Sequence, residues 1–310
     1  MRKKIAFLCL AHNNFAYLAK VSQYYCSQDD GFFVHIDKSV NLEAVSELSE
    51  FSANSVILND DERVRTAWGS FNIVLATMAL INKALASDNY DRFVLVSGAD
   101  LPLLTKAQLK TRLAQNLNYF GVWEIVCTEQ PSPFSHEFFT RHYYDHQLTN
   151  PGLAYGTGSR VHIYRMLLLN RLLAYLPLSK KRFTYPSYAK GSQWWCITRE
   201  MAQYFSDVFS QQHLIEQFTL MHAPDEKIFH TLANHSPYQS TLNVDHGQCS
   251  LKQGLHYIDW GYQNERIALQ TFDIVNADKA KQLGCAFARK LPNGVSPELS
   301  TYLDNLLSEV

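Results

Sequence analysis

Arg-Phe-Val-Leu-Val-Ser-Gly-Ala-Asp, residues 92–100, is the stretch that decides the fold. Its continuous apolar run lacks the alternation of a half-exposed strand and is typical of a β-strand buried on both faces of a sheet. Asp100 follows the strand directly. Residues 5–10 and 32–37 have the same character, and the second of these runs also ends in a carboxylate, Asp37. The sequence therefore predicts at least three buried strands, two of them followed by acidic residues.

Helical patterns separate these strands. Residues 15–25 have helical spacing, and residues 70–86 place six apolar side chains on one face: Phe71, Val74, Leu75, Met78, Ile81 and Leu85. Strand and helix in alternation predict an α/β fold with a mostly parallel central sheet and helices on both faces. Ligands of such sheets bind beyond the carboxyl ends of the strands, where His12, Asp37 and Asp100 would lie.

Composition limits the class of protein. The chain has 310 residues, 46% of them hydrophobic and 13% aromatic, which indicates a globular protein. Its formal net charge of −1 argues against nucleic acid as a partner. The six cysteines are scattered, and Cys9 and Cys196 lie in apolar runs, as buried reduced thiols do. No GxGxxG or GxxxxGK[ST] motif supports a dinucleotide or P-loop enzyme.

Residues 160–183 read as a basic amphipathic helix followed by a Lys/Arg cluster. Such a segment either packs against the core in the ordinary way or lies on an anionic membrane surface. The pattern fits packing against the core and contact with a membrane surface equally well. Peripheral membrane contact through 160–183 is therefore one of two expectations for this segment. No run approaches the roughly 18 apolar residues that span a bilayer, and residues 5–10 are expected to form a first strand instead of a signal peptide.

Residues 223–229, Ala-Pro-Asp-Glu-Lys-Ile-Phe, read as the start of a helix. Pro224 suits the first helical position, and Asp225 and Glu226 would then lie in the first turn, where the helix dipole favours their ionised forms. An ionised carboxylate on a rigid element is what a general base for a hydroxyl group needs. The alternative interpretation is an ordinary helix start with acidic decoration.

The sequence also allows two interpretations that do not use Glu226 as a base. His142 and His146 stand four residues apart, as zinc ligands on one helix face do, which would suit a metal-dependent hydrolase. Against it, there is no HExxH motif and two tyrosines interrupt the stretch. A non-catalytic sugar-binding protein is the second interpretation, and it would not need a carboxylate at the head of a helix.

Six motifs occur in order along nearly the whole chain. They are Phe33-Val-His-Ile-Asp-Lys38, Val64-Arg-Thr-Ala-Trp-Gly-Ser70, Val96-Ser-Gly-Ala-Asp-Leu-Pro-Leu-Leu-Thr105, Lys190-Gly-Ser-Gln-Trp194, Pro224-Asp-Glu226 and Phe287-Ala-Arg-Lys290. In this series the chain resembles the core-2/I-branching N-acetylglucosaminyltransferases, a family that also contains protein O-xylosyltransferases. The resemblance implies a GT-A fold, a nucleotide-sugar donor, inversion at the anomeric carbon and no metal cofactor. It implies a single domain over 1–310, with a nucleotide-binding half (1–125) and an acceptor and catalytic half (126–310).

The resemblance also assigns roles to residues. Glu226 becomes the general base. The residues that would contact the nucleotide are Ala11, Asp37, Thr66 and Trp68. The cations that would hold the diphosphate are Arg266, Arg289 and Lys290. Those that would border the donor sugar are Gly191 and Ser192, with Trp194 either a core aromatic or a platform for the sugar ring. Asp100 stands where other GT-A enzymes end their metal-binding acidic motif, here with one carboxylate where a metal usually needs two. Glu124 and Arg141 are candidates for acceptor contacts.

The expected reaction is transfer of N-acetylglucosamine from UDP-GlcNAc to a hydroxyl of an oligosaccharide or glycolipid acceptor. Fixed cations would neutralise the departing diphosphate in place of a metal ion. The alternatives within the resemblance are xylosyl transfer or transfer from another UDP-sugar. Animal members carry a membrane anchor and disulfides that this chain does not show, so we expect a bacterial enzyme in the cytoplasm, at the inner face of the membrane.

Overall fold

The computed structural model describes residues 3–26, 29–127, 184–219, 221, 223–263 and 266–308. Its strands are β1 (Ile5–Ala11), β2 (Gly31–Ile36), β3 (Ser55–Ile57), β4 (Arg92–Ser97), β5 (Leu101–Pro102), β6 (Asn118–Cys127), β7 (Ser187–Gly191), β8 (Cys196–Thr198), β9 (Leu242–His246), β10 (Lys252–Gln253), β11 (His256–Ile258), β12 (Trp260–Gln263), β13 (Arg266–Leu269) and β14 (Phe287–Arg289). Its α-helices are α1 (Phe15–Tyr25), α2 (Asn72–Ser87), α3 (Lys106–Arg112), α4 (Arg199–Phe209), α5 (Gln212–Ile215), α6 (Ile228–Asn234), α7 (Ala277–Gln282) and α8 (Pro297–Ser308). Its 3₁₀ turns are Leu42–Ala44, Ser46–Glu50, Glu216–Phe218, Pro224–Glu226, Gln239–Thr241 and Ile274–Asn276.

The main sheet has the strand order β3-β2-β1-β4-β8-β6-β7, with β9 also paired to β6. Strands β3, β2, β1 and β4 are parallel to one another. Strand β8 is antiparallel to β4 and to β6, and β7 is antiparallel to β6, while β9 is parallel to β6. The sheet is therefore mixed, and the prediction of a mostly parallel sheet is wrong for its second half. An apolar run indicates burial on both faces but carries no information on the direction of the neighbouring strand.

Helices cover both faces of the sheet, as predicted. In β1, Phe7 and Cys9 join one buried cluster and Ala6 and Leu8 join the other, because successive side chains of a strand point to opposite faces. The first cluster includes apolar residues of α1 and α8, among them Tyr17, Leu18, Val21, Leu299 and Leu303. The second includes residues of α2 and α4, among them Val74, Met78, Ile81, Met201 and Phe205. The buried positions of Cys9 and Cys196 are also confirmed.

The parallel half of the sheet brings the ends of β1, β2 and β4 to one edge. There the backbone N–H of Asp37 donates to the Ala11 carbonyl at 2.8 Å, and the N–H of Gly98 donates to the Leu10 carbonyl at 3.2 Å. The predicted placement of Asp37 and Asp100 at a common edge is therefore confirmed.

A smaller sheet with the order β10-β11-β14-β5 completes this edge. Strand β14 is antiparallel to β5, with Ala288 opposite Leu101. Because Leu101 follows Asp100 directly, this register delivers Arg289 from the far end of the sequence to the end of β4. In the described ranges, no helix has the length and apolar character needed to cross a bilayer.

Candidate active site

Asp37 holds the loop that follows β3. Its Oδ1 accepts hydrogen bonds from the backbone N–H (2.8 Å) and the hydroxyl of Ser39, and its Oδ2 accepts from the backbone N–H (2.6 Å) and the hydroxyl of Thr66. Burial raises the pKa of Asp37, but these four bonds outweigh burial, and the pKa lies below its ordinary value. Asp37 is therefore an ionised carboxylate that fixes Thr66 at the sheet edge.

The loop of residues 64–70 links the sheet edge to a second part of the site. At its start, Nε2 of the buried His35 accepts a hydrogen bond from the N–H of Val64 at 3.0 Å. Burial lowers the pKa of His35 to about 4, so the ring is neutral at pH 7 and keeps an acceptor nitrogen for this bond. Trp68 at the loop tip is 58% exposed. At the loop's end the Gly69 carbonyl accepts from the N–H of Ala223 at 3.0 Å.

Glu226 lies in the short turn that this last hydrogen bond supports. Ala223 has a left-handed backbone (φ 46°), Pro224–Glu226 is a 3₁₀ turn, and α6 begins only at Ile228. The predicted helix start, with Pro224 at its first position and Asp225 and Glu226 in its first turn, is confirmed, but it is a three-residue 3₁₀ turn that Lys227 (φ −127°) separates from α6. The dipole of a full helix therefore does not act on Glu226 as expected.

Burial, and not a helix dipole, controls the two acidic groups of this turn. Burial raises the pKa of Glu226, against the opposing charges of Lys190 and Lys227. Asp225 is 6% exposed, and burial together with the charge of Glu226 raises its pKa to about 7. The Glu226 side chain is 23% exposed. A raised pKa with partial access to solvent suits a group that accepts a proton near neutral pH.

Lys190 lies beside Glu226. Its Nζ is 3.8 Å from Oε2 of Glu226 and 5.4 Å from the centroid of the Trp123 ring. Lys190 is also the cross-strand neighbour of Glu124 in the β6–β7 pair. The ammonium group thus lies between an aromatic face and the carboxylate of the candidate base.

Gly191 and Ser192 form the point at which the chain crosses β6. Strand β7 pairs on one side of β6 and β8 on the other, so residues 192–195 must pass across that strand. The N–H of Ser192 donates to the Gly121 carbonyl at 2.9 Å. A Cβ at Gly191 would stand 1.9 Å from the same carbonyl oxygen and 2.7 Å from the His230 ring, so only glycine fits. Both residues are buried.

Arg289 contacts both the end of β4 and the ring of Trp194. Its Nη1 donates to Oδ1 of Asp100 at 2.8 Å and to the hydroxyl of Ser97 at 3.1 Å. The guanidinium carbon lies 4.1 Å from the centroid of the Trp194 ring, a cation–π contact. The Arg289 side chain is 11% exposed and that of Asp100 is fully buried. Lys290 follows with an exposed side chain.

His256 packs next to the Trp194 ring that Arg289 contacts. Its ring is fully buried, stacks on Phe287 at 5.1 Å between centroids, and lies 5.8 Å from the Trp194 ring. Burial, and then the charge of Arg289, lower its pKa well below the ordinary value, so it is neutral. The guanidinium therefore rests on uncharged aromatic groups that do not compete with it for an anion.

These contacts bring most of the residues named from the sequence into one continuous series. It runs from Ala11 and Asp37 through Thr66 and the 64–70 loop to the turn of Glu226. Lys190, Gly191, Ser192 and Trp194 follow, and Arg289 and Asp100 complete it. Arg266 is the first residue of β13, where it pairs with Gln263. Arg141, His142, His146 and the segment 160–183 lie outside the described residues. Among the described residues there is no group of three His, Cys, Asp or Glu side chains that could hold a metal ion.

Two side chains of this site, Ser97 and Trp123, were not among the residues predicted from the sequence. Ser97 shares Arg289 with Asp100, and Trp123 lies under Lys190. Ser97 was visible inside the motif around Asp100, but its partner lies 192 residues away. Trp123 had no local signal, because it is brought to the site by an irregularity of β6 between Val122 and Glu124.

The fold is α/β, and its candidate site has a partly exposed carboxylate, Glu226, on one side and a cation, Arg289, anchored at a sheet edge on the other. A family model described as "Core-2/I-Branching enzyme" matches residues 5–125 and 164–283, which is most of the chain. The protein therefore belongs to the Core-2/I-branching enzyme family, which implies a glycosyltransferase that uses a sugar donor and an acceptor. The match includes Asp37, Thr66, Asp100, Lys190 and Glu226 and ends before Arg289. No curated protein matches the chain.

Proposed function

We propose that the protein is an inverting, metal-independent glycosyltransferase of the GT-A fold that transfers N-acetylglucosamine from UDP-GlcNAc to a hydroxyl of an oligosaccharide or glycolipid. The observation that carries this proposal is the pair formed by Arg289 and Asp100. A guanidinium is anchored at the carboxyl edge of the sheet, where ligands of α/β folds bind, by a carboxylate that would otherwise be free for a cation.

Glu226 is the proposed general base. It accepts the proton of the acceptor hydroxyl while that oxygen attacks C1 of the donor sugar from the face opposite UDP. The C1–oxygen bond to the acceptor forms as the C1–oxygen bond to the β-phosphate breaks, and the bonding electrons leave with UDP. Its raised pKa and 23% exposure support this role, because a base works best with a pKa near the working pH and with access to the substrate.

Cations of the protein take the place of a metal ion in this proposal. Both oxygens of Asp100 accept hydrogen bonds from the protein, one from Arg289 and the other from the backbone N–H of Ser97. Among the described residues, Arg289 donates its side-chain hydrogen bonds through Nη1, and its other N–H groups suit a diphosphate oxygen. The exposed Lys290 supplies a second positive charge, and the family resemblance adds Arg266 as a third. Preorganised charge of this kind stabilises the charge that develops on the leaving group.

The other residues of the site have proposed roles in binding the uridine and the donor sugar. Ala11, Asp37, Thr66 and Trp68 would contact the uridine, with the exposed indole of Trp68 as a stacking surface. Gly191, Ser192 and Trp194 would border the donor sugar. Xylose or another sugar of a UDP donor is the alternative substrate, because the site residues named here do not distinguish the sugars.

The wider setting is also part of the proposal. A bacterial, cytoplasmic enzyme that builds a polysaccharide at the inner face of the membrane would suit a glycolipid acceptor. The basic segment 160–183 would then supply the peripheral contact. The nucleotide-binding half would comprise residues 1–125 and the acceptor half residues 126–310 of a single domain.

One assay tests the core of the proposal. Purified protein is incubated with a panel of UDP-sugars, with and without EDTA, and UDP release is measured. The transferase proposal expects UDP release from at least one donor, unchanged by EDTA. Release that EDTA abolishes would contradict metal independence and would favour a metal-dependent enzyme. No release from any donor, together with sugar binding in a thermal-shift assay, would favour a sugar-binding protein.

A further inference from the structure

Lys190 has a place in the structure that the proposed reaction does not yet use. It is the fourth residue of β7, one position before Gly191, and its ammonium is 3.8 Å from Oε2 of Glu226. Its side chain is 33% exposed and that of Glu226 is 23% exposed, so the pair lies at the boundary between protein and solvent. An ion pair in this position is less screened than one on the open surface.

A β-bulge fixes the surface on which Lys190 rests. In the β6–β7 pair, Val122 is opposite Gly191 and Glu124 is opposite Lys190, so Trp123 is the extra residue of β6. A bulge changes the direction in which a side chain points. Here the Trp123 ring lies 5.4 Å from the Lys190 ammonium, within the range of a cation–π contact.

Trp123 is itself held in place. Its indole Nε1 donates to Oε1 of Gln253 at 2.9 Å. Gln253 is fully buried, and its Nε2 donates to the carbonyls of Gly247 (2.9 Å) and Ser250 (2.8 Å). The amide of Gln253 therefore has a defined orientation, and the Trp123 ring has one hydrogen-bonded position. An ammonium on a fixed ring loses less conformational freedom when it pairs with Glu226.

We propose that Lys190 is the positioning residue that holds Glu226 in its ionised form, ready to accept the proton of the acceptor. This inference rests on the proposed function of Glu226. The charged groups that face the Glu226 carboxylate within the described chain are Lys190 from β7 and Asp225 and Lys227 from its own turn. Lys227 is buried and its Nζ donates to the Ala223 carbonyl at 3.4 Å, so it also braces the turn.

Lys190 opposes the effect of burial on Glu226 more strongly than Lys227 does. Without Lys190, the carboxylate would keep the cost of burial but lose its main compensating charge. An opposite charge at this distance lowers the pKa of a carboxyl group by about 1–3 units. The partial exposure of both side chains places the expected effect at the lower end of this range.

The test is the pH dependence of kcat/KM for UDP release, with water as the acceptor and the UDP-sugar that stabilises the protein most in a thermal-shift assay. Lys190→Gln removes the charge and keeps most of the length, and Lys190→Arg keeps the charge. We expect the acidic limb of the profile to move up by about one pH unit in Lys190→Gln, which lowers kcat/KM about tenfold below the limb, and to stay in place in Lys190→Arg. Binding of UDP should be the same in all three proteins.

The shape of the profile separates positioning from a structural role. A uniform loss of activity in Lys190→Gln with the acidic limb unmoved would overturn the inference, and so would an equal shift in Lys190→Arg. A different result would show that the proposed function itself is wrong. In that case the wild-type protein would release no UDP, or Glu226→Gln would keep the wild-type pH profile. Thermal unfolding of both variants verifies that each is folded before its profile is compared.

Discussion

Nη1 of Arg289 lies 2.8 Å from Oδ1 of Asp100, and this contact joins the ends of two strands that are 189 residues apart in sequence. The Asp100 carboxyl is fully buried, and the guanidinium is its charged partner. A buried carboxylate that loses its partner is costly, whereas the intact pair orients the guanidinium toward the sheet edge. The pair is therefore both a structural link and a means of presenting positive charge to a ligand.

Loss of Asp100 should affect stability and ligand binding together. Asp100→Ala leaves the Arg289 guanidinium, 11% exposed, without its carboxylate, and we expect the free energy of unfolding to fall by about 3 kcal/mol, near the lower bound for a broken buried pair. Chemical denaturation measures this change. Asp304→Ala is a matched control, because its ion pair with Lys20 is 62% exposed on the acidic side and should contribute less than about 1 kcal/mol. Equal effects of the two substitutions would contradict the structural role of Asp100.

Lys290→Ala should weaken the binding of UDP and lower the turnover rate without a change in stability. Its side chain is exposed and adds a positive charge beside Arg289. Isothermal titration with UDP measures the affinity, and the exposed Lys279 provides the control substitution to alanine, since it lies in α7. If Lys290→Ala binds UDP as tightly as the wild type, Lys290 has no part in diphosphate binding.

Glu226→Gln should lower turnover by about 10² to 10⁴, the range for a lost general base, and leave the affinity for UDP unchanged. Glutamine keeps the size of the side chain and removes only its ability to accept a proton. The exposed Glu216, which lies in another 3₁₀ turn, gives a matched Glu→Gln control that should keep full activity. Wild-type turnover in Glu226→Gln would exclude this residue as the base.

These residues also illustrate what the sequence can predict. The apolar runs at 5–10, 32–37 and 92–100 were sufficient to predict buried strands, and the position of Asp37 and Asp100 at one edge followed from the parallel order of β1, β2 and β4. The direction of β8 was not predictable, because its three residues are buried next to β4 whether they run parallel or antiparallel to it.

The interactions inside the site were less predictable than the position of its residues. Glu226 was recognised from its motif. Its environment depends on the residue at which α6 begins and on the position of the Lys190 ammonium, and neither follows from local spacing. The requirement for glycine at position 191 is of the same kind, since it comes from a crossing with Gly121 that only the folded chain creates.

Gly191→Ala should therefore disrupt the structure at the crossing. The new Cβ would stand 1.9 Å from the Gly121 carbonyl oxygen, and backbone atoms cannot move away as a flexible side chain can. We expect a loss of several kcal/mol in the free energy of unfolding, beyond the roughly 1–3 kcal/mol of ordinary overpacking. Gly98→Ala is the control, because its nearest new contact would be an ordinary 3.4 Å. A Gly191→Ala protein as stable as Gly98→Ala would show that Gly191 does not approach the Gly121 carbonyl this closely where the chain crosses β6.

Buried neutral histidines should make the protein sensitive to acid. Burial lowers the pKa of His35 and of His230 from 6.5 to about 4 in the folded protein. The unfolded chain therefore binds protons before the folded one does as the pH falls. The contribution of each histidine to stability is complete above pH 6.5 and is lost between pH 6.5 and about 4, with a limiting slope of about 1.4 kcal/mol per pH unit for each group.

Urea denaturation between pH 4 and 8 measures this dependence, and the His35→Gln variant assigns part of it. Glutamine offers an acceptor oxygen to the N–H of Val64 but does not titrate, so the slope between pH 6.5 and 4 should be smaller than in the wild type. The same substitution at the exposed His213, His213→Gln, is the control for the loss of a histidine side chain. A His35→Gln protein with an unchanged slope would show that folding does not lower the pKa of His35, and would contradict the buried neutral ring that accepts the hydrogen bond of Val64.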